Sequence, residues 1–451
     1  MNVHLIAIGG AGMSVIAELL LAGGAQVSGS DRQDSAVLRR LADLGARVHV
    51  GHAAEHVLGA DLVVVSSAIG SDNVELRAAR EAGIEIVHRS VALAQASAGK
   101  DFVAVAGAHG KTTTSAMLAV ALRDAGGDPS FAIGGAVLAL GSGARAGTGQ
   151  VFVAEADESD GSFLNYTPRV AIVTNIEPDH LDHYGTPAAF EAAFDDFAGR
   201  VVPGGLVITC ADDEGAARFA ERVRAGGTRV RTYGSHPAAD VRLDRIVLEP
   251  SAASARLLAP EGEFELELAV PGEHNLRNAA AAWCAGVELG VAAETMAAGL
   301  GTFTGTARRF EDRGTVAGVR VVDDYAHNPT KVAAAVRTGR GAVGAGRVLV
   351  LFQPHLFSRT QTFAAEFADA LAGADEVILT AIYPAREEPR PGVTSALISD
   401  RLPGARYVPD HRHAAHAVAD LAREGDLVMT IGAGDVTVLG EVVLDRLRER
   451  G

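Results

Sequence analysis

Residues 102–122 read FVAVAGAHGKTTTSAMLAVAL. An apolar run, residues 102–106, leads into Gly107-Ala-His-Gly-Lys-Thr112 and then into residues 113–122, a stretch free of Gly and Pro that reads as helix. Strand, glycine loop and helix N-terminus in that order offer successive backbone N–H groups to an anion. They also bring a Lys to the β- and γ-phosphates and a Thr hydroxyl to Mg²⁺. The eight-residue form of such a loop carries a glycine where Val105 stands, so this is the shorter GxxGKT form. The stretch predicts a parallel α/β fold that binds a nucleoside triphosphate, with Gly107, His109, Gly110, Lys111, Thr112 and Thr113 around it.

On both sides of this loop, short apolar runs alternate with Ala/Leu-rich helical stretches, the pattern of doubly wound parallel sheets. Strands are expected at 3–8, 26–29, 47–49, 62–66 and 85–88, before a small-residue joint at Ser97-Ala-Gly99. A second set follows at 102–106, 151–155, 171–175 and 206–209, with shorter, more alternating strands near 230–233, 241–248 and 264–270. After a hinge at Gly301 to Ala307, further strands are expected at 319–323, 347–352, 376–380, 405–408 and 427–430. The fold class is therefore α/β in three domains. Residues 1–98 are expected to be Rossmann-like, 99–304 a P-loop ATPase-like parallel sheet with an added smaller sheet, and 305–451 again Rossmann-like.

The chain has 451 residues, 48% apolar and 21% charged, as in a globular enzyme. With 40 basic and 56 acidic side chains, its net charge of −16 argues against nucleic acid or an anionic membrane as main partner. Cys210 and Cys284, the only cysteines, match no disulfide or metal-knuckle spacing. Residues 5–25 are apolar but are broken by Glu18 and five glycines, and no Lys or Arg precedes them, so a strand, a turn and a helix are expected rather than a membrane span or secretion signal. These features predict a cytoplasmic protein. Lysine occurs only at positions 100, 111 and 331, against 37 arginines, so each retained Lys invites a reason.

Other polar strings follow predicted strands. Ala7-Ile-Gly-Gly-Ala-Gly12 is close to the dinucleotide fingerprint GxGxxG, with Ala7 in place of its first glycine and Asp31 as a possible ribose ligand. Glu155-Ala-Asp-Glu-Ser-Asp160 clusters four carboxylates suited to Mg²⁺. Thr174-Asn-Ile-Glu-Pro-Asp-His180-Leu-Asp-His183 adds further potential ligands, and His274-Asn275-Leu-Arg-Asn278 opens an alanine-rich helix. The last third adds Arg308-Arg309-Phe310, Asp323-Asp324-Tyr-Ala-His327-Asn-Pro329, Phe352-Gln-Pro-His355-Leu-Phe-Ser-Arg359-Thr360, Glu387-Glu-Pro389 and Gly432-Ala-Gly-Asp435. Polar loops gathered on the carboxyl edge of an open sheet are where such folds bind ligands.

Taken in order, these strings resemble the muramyl ligase family, and most nearly its alanine-adding branch, over residues 6–435. The resemblance implies a UDP-sugar domain, a central ATPase-like domain and a C-terminal domain that positions an amino acid. It implies an ATP- and Mg²⁺-dependent reaction in peptidoglycan precursor synthesis, with UDP-N-acetylmuramate and L-alanine as substrates. The muramyl carboxylate would attack the γ-phosphorus to give an acyl phosphate and ADP. The amine would then displace phosphate. A monomer or weak homodimer is expected.

Residue by residue, the resemblance places Lys111 on the β/γ-phosphates, Thr112 and Glu155 on one Mg²⁺, and Glu155 and His180 on a second. It places His274, Asn275 and Asn278 at the adenine, Arg309 near phosphate, and Asp324 and His327 near the ribose and reaction centre. Gly9, Gly10, Ala11 and Gly12, with Ser30, Asp31, His88 and Arg89, would hold the UDP end, and Arg359 the substrate. His327 and His355 are both candidate bases for the amine.

Asn328 and Lys331 stand where the family often has His and Glu, and Leu356 where it often has Arg. The string DYAHNP is also similar to diaminopimelate-adding and cyanophycin-type relatives. Several sister ligases carry a carbamylated lysine soon after the DHLD string, yet residues 176–201 contain no lysine. The alternatives are another muramyl or polyglutamyl ligase, a dinucleotide-dependent oxidoreductase suggested by the N-terminal turn, and a P-loop regulatory switch.

Overall fold

The computed structural model describes residues 1–177, 181–385 and 387–450. Three sheets organise them. The first contains β1 (Asn2–Ile6), β2 (Gln26–Asp31), β3 (Arg47–Val50), β4 (Leu62–Val65) and β5 (Glu85–His88), in the order β3-β2-β1-β4-β5. All its pairings are parallel. The order reverses beside β1, so the turn after β1 lies at the crevice where parallel sheets take ligands.

The second sheet has ten strands: β6 (Asp101–Ala106), β7 (Ser130–Val137), β8 (Ser142–Arg145), β9 (Val151–Glu155), β10 (Val170–Val173), β11 (Leu206–Cys210), β12 (Arg229–Gly234), β13 (Val241–Leu248), β14 (Ala253–Ala259) and β15 (Gly262–Leu268). Their order is β15-β14-β13-β12-β11-β10-β6-β9-β7-β8, with β6 between β10 and β9 at the reversal point. Central strands are apolar throughout because helices cover both faces: every residue of β10 and β11 is buried. In β15 burial alternates, as expected where one face meets water. β13, β14 and β15, each longer than β10 or β11, continue the main sheet beyond β12.

The third sheet contains β16 (Glu311–Val316), β17 (Val319–Asp324), β18 (Val348–Phe352), β19 (Glu376–Leu379), β20 (Arg406–Tyr407) and β21 (Leu427–Ile431), in the order β16-β17-β21-β18-β19-β20. It is parallel except for the antiparallel edge strand β16.

By compactness the chain forms two units. One carries the first two sheets (residues 1–247, 254–269 and 273–304), and the other carries the third sheet (305–451, with 248–253 and 270–272). In the first unit, the Lys111–Asp124 helix is buried almost all round, from Thr114 to Leu122, and its mixed Ala/Leu/Val surface has no polar stripe to present to water. The Ala293–Leu300 helix passes so close that a Cβ on Gly299 would stand 3.0 Å from the Ala121 backbone. Phe163, which follows the acidic residues after β9, stacks on Phe197 and meets Phe194 edge-to-face, and Phe194 meets Phe190 edge-to-face, with ring centroids 4.9 to 5.4 Å apart. Two helices that supply part of this cluster and its neighbours, Pro187–Ala198 and Glu214–Ala225, lie where the sequence reading assigns no element. Among the described residues no helix is long and apolar enough to cross a membrane, and residues 5–25 fold as the end of β1, a turn and the Ala11–Ala22 helix.

Candidate active site

The loop after β6 is shaped by two glycines with left-handed backbone. Gly107 has φ +125° and Gly110, the N-cap of the Lys111–Asp124 helix, has φ +84°. A Cβ at Gly107 would stand 2.2 Å from Thr174 Oγ1, and one at Gly110 would stand 2.7 Å from Asn278 Oδ1, so neither position accepts a side chain. The strand-end residues Thr174 and Asn175 brace the loop: Asn175 Oδ1 accepts from the His109 N–H (3.0 Å) and its amide donates to the His109 carbonyl (3.1 Å). The His109 Nε2 meets Glu177 at 3.2 Å, while its buried Nδ1 has no hydrogen-bond partner among the described residues.

Lys111 Nζ donates to the Gly107 carbonyl (2.6 Å) and to both oxygens of Glu158 (2.8 and 2.9 Å). Burial works to lower the Lys111 pKa, but the buried Glu158 carboxylate outweighs it and the net direction is upward, so the ammonium stays charged. Thr112 is buried at the start of the helix. Thr113 is half-buried beside it. Glu155, at the end of β9, accepts from the Gly134 N–H at 2.7 Å. Asn278 is buried in the Glu273–Glu288 helix and accepts from Thr114 (3.2 Å). Asn275 is half-buried and His274 exposed one turn earlier.

A second glycine turn follows β1. Ala7 takes the left-handed conformation (φ +59°), and the Gly9 N–H donates to Asp31 Oδ2 at 3.0 Å. Gly10 caps the Ala11–Ala22 helix. A Cβ on Gly12 would stand 2.8 Å from Arg89 Nη1, and Arg89 also pairs with Asp157 at 2.7 Å. The turn and the acidic loop of β9 thus meet across one guanidinium. His88 faces Ser67 (3.1 Å) and Asp160 (3.7 Å), and burial lowers its pKa. The Ser30 hydroxyl points into a buried network with Glu75 and His52.

In the third sheet, the loop after β17 holds Asp324 and His327. Asp324 is half-buried and accepts from the N–H groups of Phe310 and Ala326 (both 2.9 Å). Burial raises its pKa, against the pull of Arg309. Arg308 and Arg309 both stack on Tyr325, at 4.8 and 5.4 Å from its ring centroid. His327 Nδ1 lies 3.0 Å from the Tyr325 carbonyl, an acceptor, which places the proton on Nδ1 and leaves Nε2 with a lone pair. Burial first, then the Lys331 and Arg359 charges, push the His327 pKa well below its ordinary value. His355 sits 6.0 Å from His327 between ring centres, stacks on Tyr383 and lies 3.4 Å from Arg359. Glu387 accepts from the Ser358 N–H at 2.8 Å and from its hydroxyl, fixing the Phe357–Thr362 helix that carries Arg359. Asn328 caps the Pro329–Ala342 helix through the Lys331 N–H (2.9 Å), a position that suits Asn.

Three family models match in tandem: "Mur ligase family, catalytic domain" over residues 2–101, "Mur ligase middle domain" over 105–286 and "Mur ligase, glutamate ligase domain" over 308–434. A UDP-N-acetylmuramate–L-alanine ligase of Kineococcus radiotolerans is 56% identical over 458 residues, covering 100% of this chain and 97% of the relative. The chain belongs to the Mur ligase family. A ligase of the same name from Renibacterium salmoninarum is 54% identical over 99% of this chain and 96% of its own length. The crystal structure of UDP-N-acetylmuramate–alanine ligase from Thermotoga maritima superposes with a TM-score of 0.84 at 27% identity, covering 100% of both chains. The three-domain α/β architecture is that of the Mur ligases.

Within this Mur ligase, the sequence reading passes over several residues that shape the site. Glu158, the partner of Lys111, is one of four neighbouring carboxylates, and only the turn after β9 decides which of them reaches the lysine. Thr174, Asn175 and Glu177 brace the loop, and Tyr325 sits under both arginines. His180 lies outside the described residues. The residues present fit a Mg²⁺-nucleotide: a side-chain-free cradle at Gly107 and Gly110, a charged lysine, a helix-start threonine and the Glu155 carboxylate. The remaining lysines have separate duties. Lys100 ties down the Gly147 and Gly149 carbonyls (3.0 and 2.7 Å), and Lys331 contributes charge near His327.

Proposed function

We propose that this chain is the ATP-dependent ligase that joins L-alanine to the carboxylate of UDP-N-acetylmuramate, a step in building the peptidoglycan precursor. The observation that carries this reading is the 56% identity, end to end, with a ligase of that name. Domain bounds of 1–98, 99–304 and 305–451 are part of the proposal, supported by the positions of the three sheets. So are a cytoplasmic location and a monomeric or weakly dimeric state.

The reaction runs in two displacements. A muramyl carboxylate oxygen bonds to the γ-phosphorus as the bond to ADP breaks. The alanine nitrogen then bonds to the acyl carbon, and phosphate leaves with that oxygen. Lys111 and the N–H groups of the 107–112 loop hold the phosphates and offset charge as it moves toward ADP. Thr112 and Glu155 would hold Mg²⁺, and Glu155 with His180 a second ion; when bound, Mg²⁺ neutralises the phosphoryl oxygens. His274, Asn275 and Asn278 are proposed to serve the adenine, and Arg309 and Asp324 the nucleotide.

Gly9 to Gly12, Asp31, His88 and Arg89 hold the UDP end, with Ser30 supporting Asp31 from behind. In the third sheet Arg359 orients the amino acid. Between the two candidate bases the geometry favours His327. It is neutral near pH 7, and its Nδ1–H is held by the Tyr325 carbonyl, so its Nε2 lone pair is available for the amine proton.

The test is phosphate release from ATP. Release that requires both UDP-N-acetylmuramate and L-alanine, with no change in nicotinamide absorbance, is expected. Glycine and L-serine should serve as weaker substrates, because one methyl in a small pocket discriminates by only about 1–3 kcal/mol. Preference for D-glutamate or a diamino acid on a peptide-bearing precursor would overturn the alanine assignment.

A further inference from the structure

One face of the first sheet is built unlike the rest of the protein. Where other sheet faces pack aliphatic side chains, this one encloses a carboxylate among imidazoles. Glu75, at the start of the Val74–Glu81 helix, is completely buried. His56 Nδ1 lies 2.7 Å from Glu75 Oε1, and His52 Nδ1 lies 3.1 Å from Oε2. Ser30 donates its hydroxyl to Oε2 at 2.5 Å, and the Ala53 N–H donates to Oε1 at 3.3 Å. His4 on β1 is also fully buried; its Nδ1 meets Ser28 at 2.9 Å, and its Nε2 stops 3.7 Å short of Glu75 with no hydrogen-bond partner among the described residues. His49 on β3 stacks on His56 at 4.0 Å, with Arg47 the nearby cation on the same strand.

The donors can be placed by elimination. The Ser30 proton is committed to Glu75, so His52 Nδ1, 2.8 Å from Ser30 Oγ, faces two acceptors and must carry its own proton. Burial works to raise the Glu75 pKa, but His4, Ser30 and His56 around it hold it at about 2, so the cluster keeps its carboxylate charge. Among the described residues no three such groups are arranged to hold a metal, which leaves a hydrogen-bond network.

That network ends on the glycine turn. The Ser30 carbonyl accepts from the Ile8 N–H (2.9 Å), and the next residue, Asp31, accepts from the Gly9 N–H (3.0 Å) through its side chain. The Asp31 carbonyl in turn accepts from the Gly51 N–H (2.7 Å), immediately before His52. We propose that Glu75 and His52 are positioning residues for the nucleotide-sugar end of the substrate: through Ser30 and Asp31 they set the turn at Ala7 to Gly12. The inference rests on the assignment of this turn to the UDP group.

The experiment is the dissociation constant for UDP-N-acetylmuramate, measured by calorimetry on the full-length protein at pH 8.0, with KM for ATP alongside, for wild type, His52→Asn, His52→Ala and Glu75→Gln. An Asn amide N–H takes the place of Nδ1–H, so His52→Asn should bind as wild type does. His52→Ala and Glu75→Gln should each bind at least about threefold more weakly while KM for ATP stays put. Wild-type affinity in both His52→Ala and Glu75→Gln, or a KM for ATP that rises together with the dissociation constant, overturns the inference while leaving the proposed activity intact. Failure of the wild type to bind overturns both. Should Glu75→Gln not fold, the His52→Asn and His52→Ala pair decides alone.

Discussion

The two glycine turns of the first unit share a plan, a strand, a tight loop and a helix N-terminus, yet use glycine for opposite reasons. In the 107–110 loop the glycines supply conformation and room together: both have left-handed backbone, and both would drive a Cβ into Thr174 or Asn278. In the 7–12 turn the left-handed position belongs to Ala7, while Gly9 and Gly12 are extended or helical and supply room alone, beside Leu38, Asp31 and Arg89. The charges differ as well. The first loop ends on Lys111, matched to the buried Glu158, and the second is crossed by Arg89, matched to Asp157. On the proposed assignment, the first loop closes on a triphosphate and the second lets a diphosphate approach.

The sharpest way to break this comparison is Lys111→Arg. A planar guanidinium cannot sit between the Gly107 carbonyl and Glu158 as a point charge does. Turnover should fall by at least about 100-fold with the fold retained by circular dichroism, and turnover within about threefold, under ~1 kcal/mol in barrier, contradicts the loop's role. Next comes Gly107→Ala, which places Cβ 2.2 Å from Thr174 Oγ1 at φ +125°. A rise in KM for ATP of about tenfold or more is expected, equivalent to ~1.4 kcal/mol; unchanged nucleotide kinetics would mean the loop is not as tightly braced as its geometry indicates.

A third test concerns the metal. Residues 176–201 lack lysine, and arginine cannot form a carbamate because it stays protonated. His180→Ala should raise the Mg²⁺ requirement, and activity should ignore bicarbonate. Bicarbonate rescue of depleted enzyme, or a modified Lys100 or Lys331 needed for turnover, would defeat this. The smallest effect belongs to Ala7→Gly, the mirror of the second test. Relief of a left-handed alanine is offset by the entropy of a new glycine, so chemical denaturation should find stability changed by no more than about 1 kcal/mol. A large loss there would mean that Ala7 contributes packing beyond its backbone.

Much of the fold was legible because central parallel strands are largely continuous apolar runs, and the expected strands at 102–106, 151–155 and 206–209 match β6, β9 and β11 to within one residue. The strands that escaped notice lack that signature. β7 is interrupted by Gly134 and Gly135, β8 is Ser-Gly-Ala-Arg, β14 opens on Ala-Ser-Ala-Arg, and β16 is a polar edge with one neighbour. In the site, the glycine loops announce themselves because their chemistry is contiguous. Glu158 was visible only as one acid among four. The Glu75 network was not visible at all, since His4, Ser30, His52 and His56 are brought together by four different elements. Leu356 adopts φ +71°, and nothing in the structure explains the leucine there.

The central claim is that Lys111 and its loop activate a carboxylate as an acyl phosphate. Oxygen transfer tests it most directly. With UDP-N-acetylmuramate labelled by ¹⁸O in the muramyl carboxylate, turnover with ATP and L-alanine should deliver one labelled oxygen to each phosphate released, seen by mass spectrometry or the ³¹P isotope shift. Phosphate that emerges unlabelled, with both labels kept in the amide product or the unreacted sugar, would contradict the account.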